Sequence, residues 1–249
     1  MLRAEELHKS FGKLAATDDV TVEFGRSEAE HVFIVGPNGA GKTTLVNLLT
    51  GLLSPDAGRI VLDEEDITNH SPEERVHAGL VRSFQVVRLF ESMTVRENVR
   101  LAVLSREGKT GSALSLVDEH EAVERDVDDL LDQFRLAEHA DQVASELPHG
   151  DRKLLDVAMS FALEPEYLLL DEPTSGVSTR ETEHVIETIV EVSEREGVTT
   201  VTIEHDMDIV TGYADRIIAL HQGSVHGEGP PSLIETDDEL RQLLLGVDE

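Results

Sequence analysis

The sequence predicts an α/β fold built on a mostly parallel sheet with helices covering both faces. Two observations carry that expectation. The stretch "HVFIVGPNGAGKTTLVNLLTG" (31–51) runs from an apolar segment, Val32 to Val35, through a glycine loop into Leu45, Leu48, Leu49 and Leu52 at helical spacing. Further apolar runs at "RIVL" (59–62), "YLLL" (167–170), "VTTVTI" (198–203) and "RIIAL" (216–220) alternate with helical patterns, such as the one that turns Val185, Ile186, Ile189 and Val190 to one side. Parallel strands buried on both faces read as such continuous runs.

Taken in order, the chain opens β-rich, and "VTVEF" (20–24) alternates as a half-buried strand does. The strand–loop–helix unit follows. Residues from about 90 to 155 lack strand-like runs and read as helical, so a helical subdomain is expected inside a single domain spanning 1–249. Within it, "DEHEAVERDVDD" (118–129) sets acids on the outer face of a helix whose inner face carries Val123, Val127, Leu130 and Phe134. "ELPHGDRKLLDVAM" (146–159) reads as a loop entering a helix, with a proline suited to a first helical position and Asp151 at the positive end of the dipole.

Composition narrows the classes. A chain of 249 residues can bury a sizeable core without staples, and the lack of cysteine excludes disulfides and thiolate metal sites. "MLRAEELHKSFG" has no apolar signal-peptide core, and no segment nears the ~18 consecutive apolar residues of a membrane span. A cytosolic chain is expected, with membrane association through partners. Fifty-one acidic against 21 basic residues give a formal charge of -30, which argues against nucleic acid and anionic lipid as partners. Neither "DEED" (63–66) nor the 118–129 run has the spacing of a calcium loop, so both read as solvated acidic surface. Lysine is confined to Lys9, Lys13, Lys42, Lys109 and Lys153, and acidity this pervasive points to a salt-rich cytoplasm, where a Debye length of about 3 Å at 1 M screens the repulsion.

The strongest local signal is "GPNGAGKT" (36–43), which fits G-x-x-x-x-G-K-[ST] between a strand and a helix, the context of a phosphate-binding loop. Gly36, Gly39 and Gly41 let the backbone bend around phosphate oxygens, and Pro37, Asn38, Ala40 and Thr44 complete the lining. Lys42 reaches the terminal phosphates, and Thr43 offers its hydroxyl to Mg²⁺. "YLLLDEP" (167–173) ends a buried strand in Asp171, a candidate Mg²⁺ ligand through water, followed by Glu172, a candidate base for the attacking water. "VTTVTIEHD" brings His205 to the same edge, within reach of a γ-phosphate.

The P-loop at 36–43, "RSFQ" with Gln85, "LPHGD" (147–151), "LLLDEP" (168–173) and "EHD" with His205 resemble, in order and spacing, the nucleotide-binding subunits of ABC transporters over nearly the whole chain. "FQVVRLFESMTVRENV" (84–99), "IEHDMDIV" (203–210) and "GEGPPSLI" are similar to the ATP-binding subunits of branched-chain amino-acid importers. The resemblance implies a RecA-like P-loop core with an N-terminal antiparallel β subdomain and the inserted helical one. It also implies ATP and Mg²⁺ as cofactors, and hydrolysis coupled to import of a small polar solute. Phe11 takes the place of the aromatic on which adenine stacks, with packing in the core as the alternative. Gln85 would join Mg²⁺ and the attacking water to the permeases, with 86–99 near the coupling surface.

Such subunits pair head to tail and share each ATP. The resemblance therefore implies a second ATPase subunit, in a heterodimer or homodimer, with transmembrane permease subunits and an extracytoplasmic solute-binding protein, at the cytoplasmic face of the cell membrane. Leu147, Pro148, His149, Gly150 and Asp151 occupy the signature that faces the ATP of the opposite subunit. Here the sequence departs from the family: Pro148 replaces a serine, His149 a glycine or aromatic, and Asp151 a neutral amide, while Ser178 stands where an acid or amide is usual. The departures gather in parts acting across the interface. Two other readings are a urea or amide importer and a soluble ABC ATPase of DNA repair or translation. Single-domain size, the acidic surface and 84–99 weigh against the latter. A P-loop GTPase lacks support because no N-K-x-D motif is present.

Overall fold

The computed structural model describes residues 1–83, 89–106 and 117–245. The chain begins with the antiparallel strands β1 (Leu2–Phe11) and β2 (Leu14–Phe24), then β3 (His31–Val35) leads through the glycine loop into α1 (Lys42–Leu49). Strands β4 (Ala57–Leu62) and β5 (Glu65–Asp66), helix α2 (Pro72–His77) and the short β6 (Leu80–Arg82) follow. Three helices come next: α3 (Val95–Arg106), α4 (Val117–Gln133) and α5 (His149–Phe161). The remainder alternates as β7 (Tyr167–Asp171), α6 (Thr179–Glu196), β8 (Thr199–Ile203), α7 (Met207–Tyr213), β9 (Arg216–His221), β10 (Ser224–Gly229), α8 (Leu233–Thr236) and α9 (Asp238–Leu245).

Two sheets result. One is antiparallel, in the order β2-β1-β4-β5; the other runs β10-β9-β3-β8-β7-β6, parallel from β9 to β6 with only β10 antiparallel. The expected mostly parallel α/β core is therefore present. "RIVL", however, belongs to the antiparallel sheet, paired with β1. Alternation explains the layering. Val32 and Ile34 of β3 pack with α1 and the antiparallel sheet, whereas Phe33 and Val35 pack with Ile186, Ile209 and Leu240 on the opposite face. At the far side, Leu168 and Leu170 of β7 join Val99, Val127, Phe134 and Leu155 from α3, α4, α5 and the turn after α4. Among these, the rings of Phe134 and Phe161 meet edge to face at 5.2 Å.

Local chemistry sets several boundaries. α1 stops at Leu49 because Gly51 adopts a left-handed conformation (φ 75°), so Leu52 lies outside the helix and is exposed, contrary to the expected continuation. Carbonyls at that end accept from the fully buried Arg75, whose Nη1 donates to Leu48 O (2.7 Å), which also accepts from Gly51 N (3.2 Å), and to Leu49 O (2.5 Å), while Nη2 donates to Thr68 O of the following segment (2.9 Å). Burial pushes this guanidinium down to about 10. Ser71 and Glu74 form a capping box that starts α2 and so aims Arg75 inward. α5 begins at His149, with Pro148 flanking it as the cap rather than in its first turn; the Pro148 carbonyl accepts from Arg152 N (3.0 Å).

Candidate nucleotide site

The carboxyl ends of β3, β8, β7 and β6 reach one edge because these four strands are parallel neighbours. That edge receives the glycine loop from β3, Asp171 and Glu172 from β7, Glu204 and His205 from β8, and Arg82 and Ser83 from β6.

The loop from Gly36 to Gly41 needs its glycines for close approach. A Cβ on Gly36 would stand 2.2 Å from Leu220 O, and one on Gly41 2.2 Å from Ala16 O, while Gly39 (φ 81°) has open space on its side-chain face. The loop is pinned by Ala40 N on Pro37 O (3.2 Å) and by Gly223 N on Ala40 O (3.0 Å). Lys42 is buried within it, its Nζ donating to Gly36 O (2.6 Å) and Pro37 O (3.1 Å). Burial lowers its basicity, and the charges of Glu172 and Asp171 act in the opposite direction. An ammonium held by two loop carbonyls at the start of α1, in a loop bent by glycines, suits the phosphates of a nucleotide, and the nearby Asp171 and Glu172 suit the metal and water that accompany them. Asn38, Gly39 and Thr43 are exposed, Pro37, Gly41 and Thr44 half-buried, and Gly36 and Ala40 buried. Phe11, at the tip of the β1–β2 hairpin, is 50% exposed, which removes core packing and leaves its ring available for a base.

Asp171 is buried and paired with Arg82, whose Nη2 stands 2.7 Å from Asp171 Oδ2 while Nη1 donates to Asn47 Oδ1 of α1 (2.5 Å). One guanidinium thus ties the P-loop helix to the acid at the end of β7. Glu172 follows in the left-handed region (φ 52°), its N–H on Ile203 O (3.0 Å), so its side chain turns away from the strand toward His205. His205 Nε2 lies 3.1 Å from Glu172 Oε1. The structure thus brings together the P-loop, Asp171, Glu172 and His205, as the sequence predicts. Gln85 lies outside the described residues, as does the rest of 84–88.

The residues at 147–151 sit at the start of α5, with Leu147 and Gly150 buried, Pro148 and His149 exposed and Asp151 half-buried. His149 borders the turn after β7, since a Cβ on Gly176 would come 3.0 Å from His149 Nε2. Asp151 lies 3.7 Å from His139 Nε2. Sequence reasoning missed Arg82, Glu204 and Lys153. Lys153, buried on α5, has its basicity lowered by burial, offset by the carboxylates of Asp156, Glu204, Glu172 and Asp171. Glu204 is buried at the end of β8, and burial raises its pKa against hydrogen bonds from Thr174 and His205 that lower it. A charged residue inside an apolar run is a signal for such roles, and "VTTVTIEHD" carried it.

A phosphate loop, an Asp–Glu pair two strands away and a histidine on the strand between, with an antiparallel sheet and a helical layer packed around them, define a P-loop ATPase. The chain belongs to the ABC transporter family, whose pattern matches residues 20–175, and it is an ATPase subunit of that class. It is 37% identical over 253 aligned residues, covering 99% of the chain and 98% of the relative, to the high-affinity branched-chain amino acid transport ATP-binding protein LivG of Salmonella typhimurium. Among solved structures it is similar to the ADP conformation of MJ1267, an ATP-binding cassette of an ABC transporter (29% identity, TM-score 0.85, 99% of both chains). It is also similar to the dimeric post-hydrolysis state of the cassette MJ0796 bound to ADP and Pi (25% identity, TM-score 0.75, 93% of this chain and 99% of that one).

Proposed function

We propose that this chain powers the import of branched-chain amino acids, hydrolysing ATP at the sheet edge described above. The observation that carries the chemistry is the Glu172–His205 contact of 3.1 Å beside the buried Asp171 and Lys42. Lys42 and the backbone N–H groups of the loop from Asn38 to Thr44 would hold the phosphates, with Gly36 and Pro37 shaping the turn, and Phe11 would stack on the base. Thr43, Asp171 and Gln85 would hold Mg²⁺, which when bound would supply positive charge against the phosphoryl oxygens. Glu172 accepts the proton of the attacking water, while His205 orients that carboxylate through Nε2 and reaches the γ-phosphate. The solute assignment is supported by the near-complete coverage of the LivG relative.

The assembly follows the same reading: one cassette over 1–249 with a helical subdomain at about 90–155, whose last helix continues to Phe161. Two such subunits, one of them a partner ATPase or a second copy, carry permease subunits at the cytoplasmic face, with a solute-binding protein outside. No helix of the described residues is long and apolar enough to cross a membrane, and the family resemblance supports attachment through those permeases. Uptake of labelled leucine, isoleucine and valine in cells lacking the gene tests the reading. Wild-type protein should restore it and Lys42→Ala should not; restored uptake of urea or amides alone would overturn the solute assignment.

A further inference from the structure

Glu204 is not explained by nucleotide binding. It sits 4% exposed at the end of β8, beside His205, and its carboxylate is shared between two segments. Oε1 accepts from Thr174 Oγ1 at 2.6 Å and from Thr174 N at 3.2 Å, and Oε2 accepts from His205 N at 3.2 Å. Thr174, itself buried, lies two residues beyond Glu172 in the turn closed by Ser175 N on Glu172 O (3.1 Å) and Val177 N on Thr174 O (3.1 Å). The two ends of the Glu172–His205 contact are therefore joined twice: directly at 3.1 Å, and behind it through one buried carboxylate.

We infer that Glu204 is a positioning residue that fixes the backbone of His205 against the turn following Glu172, and so sets the distance between those two side chains. His205 and Glu172 project from different strands, and their side chains are partly exposed, at 45% and 26%, so packing alone does not hold them. Three donors converging on one buried carboxylate supply the missing restraint, because leaving any of them unpaired in that interior is costly. A glutamine at 204 keeps the shape and the Thr174 bonds but presents an N–H where His205 N also donates, so one link of the clamp opens. Lys153 on α5 lies within electrostatic range of the same carboxylate, which lets the helix behind the site balance its charge.

The inference rests on the roles proposed above for Glu172 and His205, and its test separates the two. Glu204→Gln is compared with wild type by the NMR signals of the His205 imidazole without nucleotide, and by steady-state ATP hydrolysis. The expected result is a moved His205 resonance, kcat lowered about tenfold or more, and KM for ATP within twofold. Thr174→Val should behave alike, and Thr174→Ser, which restores the hydroxyl, should recover most of kcat. Should Glu204→Gln fold poorly, the Thr174 pair carries the same comparison. Unmoved His205 signals in Glu204→Gln and Thr174→Val overturn the clamp whatever the turnover. Moved signals with full turnover, together with full turnover in Glu172→Gln, leave the clamp standing and overturn instead the roles of Glu172 and His205.

Discussion

Lys42 is buried in its own loop, and its ammonium is the charge there that a triphosphate meets. Charge-assisted bonds are worth about 1.5–3 kcal/mol each, and on a chain of charge -30 their loss is not compensated by the surroundings. Lys42→Ala should abolish ATP binding measurable by calorimetry. Phe11→Ala should weaken ATP affinity by about two- to tenfold, in line with ~0.5–1.5 kcal/mol for a stacked aromatic, with little change in melting temperature because the ring is already exposed. At this scale the sequence is most legible where a residue's role depends on local spacing, as for Lys42, Asp171, Glu172 and His205. Arg82 and Glu204 escape because each is a buried charge whose meaning lies in a partner 89 or 30 residues away.

At the scale of elements, α1 and α5 make opposite use of their ends. α1 delivers its N-terminus to the P-loop and closes its C-terminus on Arg75, so Arg75→Leu takes a donor from several carbonyls and should cost about 3 kcal/mol or more in chemical denaturation. α5 is capped by Pro148, which has no N–H to donate, and carries in its first turn the Asp151 carboxylate, which opposes the dipole's attraction for a γ-phosphate. If α5 faces the ATP of a partner subunit, that ATP should be bound but turned over slowly. Comparing Glu172→Gln here with the equivalent change in the partner should then show the greater loss from Glu172; equal losses mean two working sites. Elements built from apolar runs, β3, β7, β8 and β9, are legible in the sequence. β10 is not, because "SVHGEG" has two glycines and one apolar residue and gains its place by pairing with β9. β6 is three residues long and depends on β7 in the same way.

For the whole molecule, charge and protonation set the conditions of stability. Raising salt from 0.1 to 2 M shortens the Debye length from about 10 Å to below about 3 Å, so the melting temperature should climb across that series; a steady fall contradicts a fold limited by its own repulsion. His31 is buried with Nδ1 on Thr200 Oγ1 (2.8 Å), and burial lowers its pKa below 6.5 despite the opposing charges of Asp215, Glu194 and Glu30. A lowered folded-state pKa means that the unfolded chain takes up the proton first, so stability falls as pH drops through 6.5. His31→Gln should flatten that part of the denaturation profile. Glu30, held low by Arg216 against the opposing effect of burial, contributes stability above about 4.5 that is lost only in stronger acid.

The central claim, that ATP is hydrolysed at the edge where β3, β8 and β7 end, is tested most directly by Glu172→Gln, with ATP binding followed by calorimetry beside phosphate release from the same preparation. Binding should stay within a few-fold of wild type while release falls by roughly 10² to 10⁴. Full turnover by Glu172→Gln would remove Glu172 from the reaction and contradict the account.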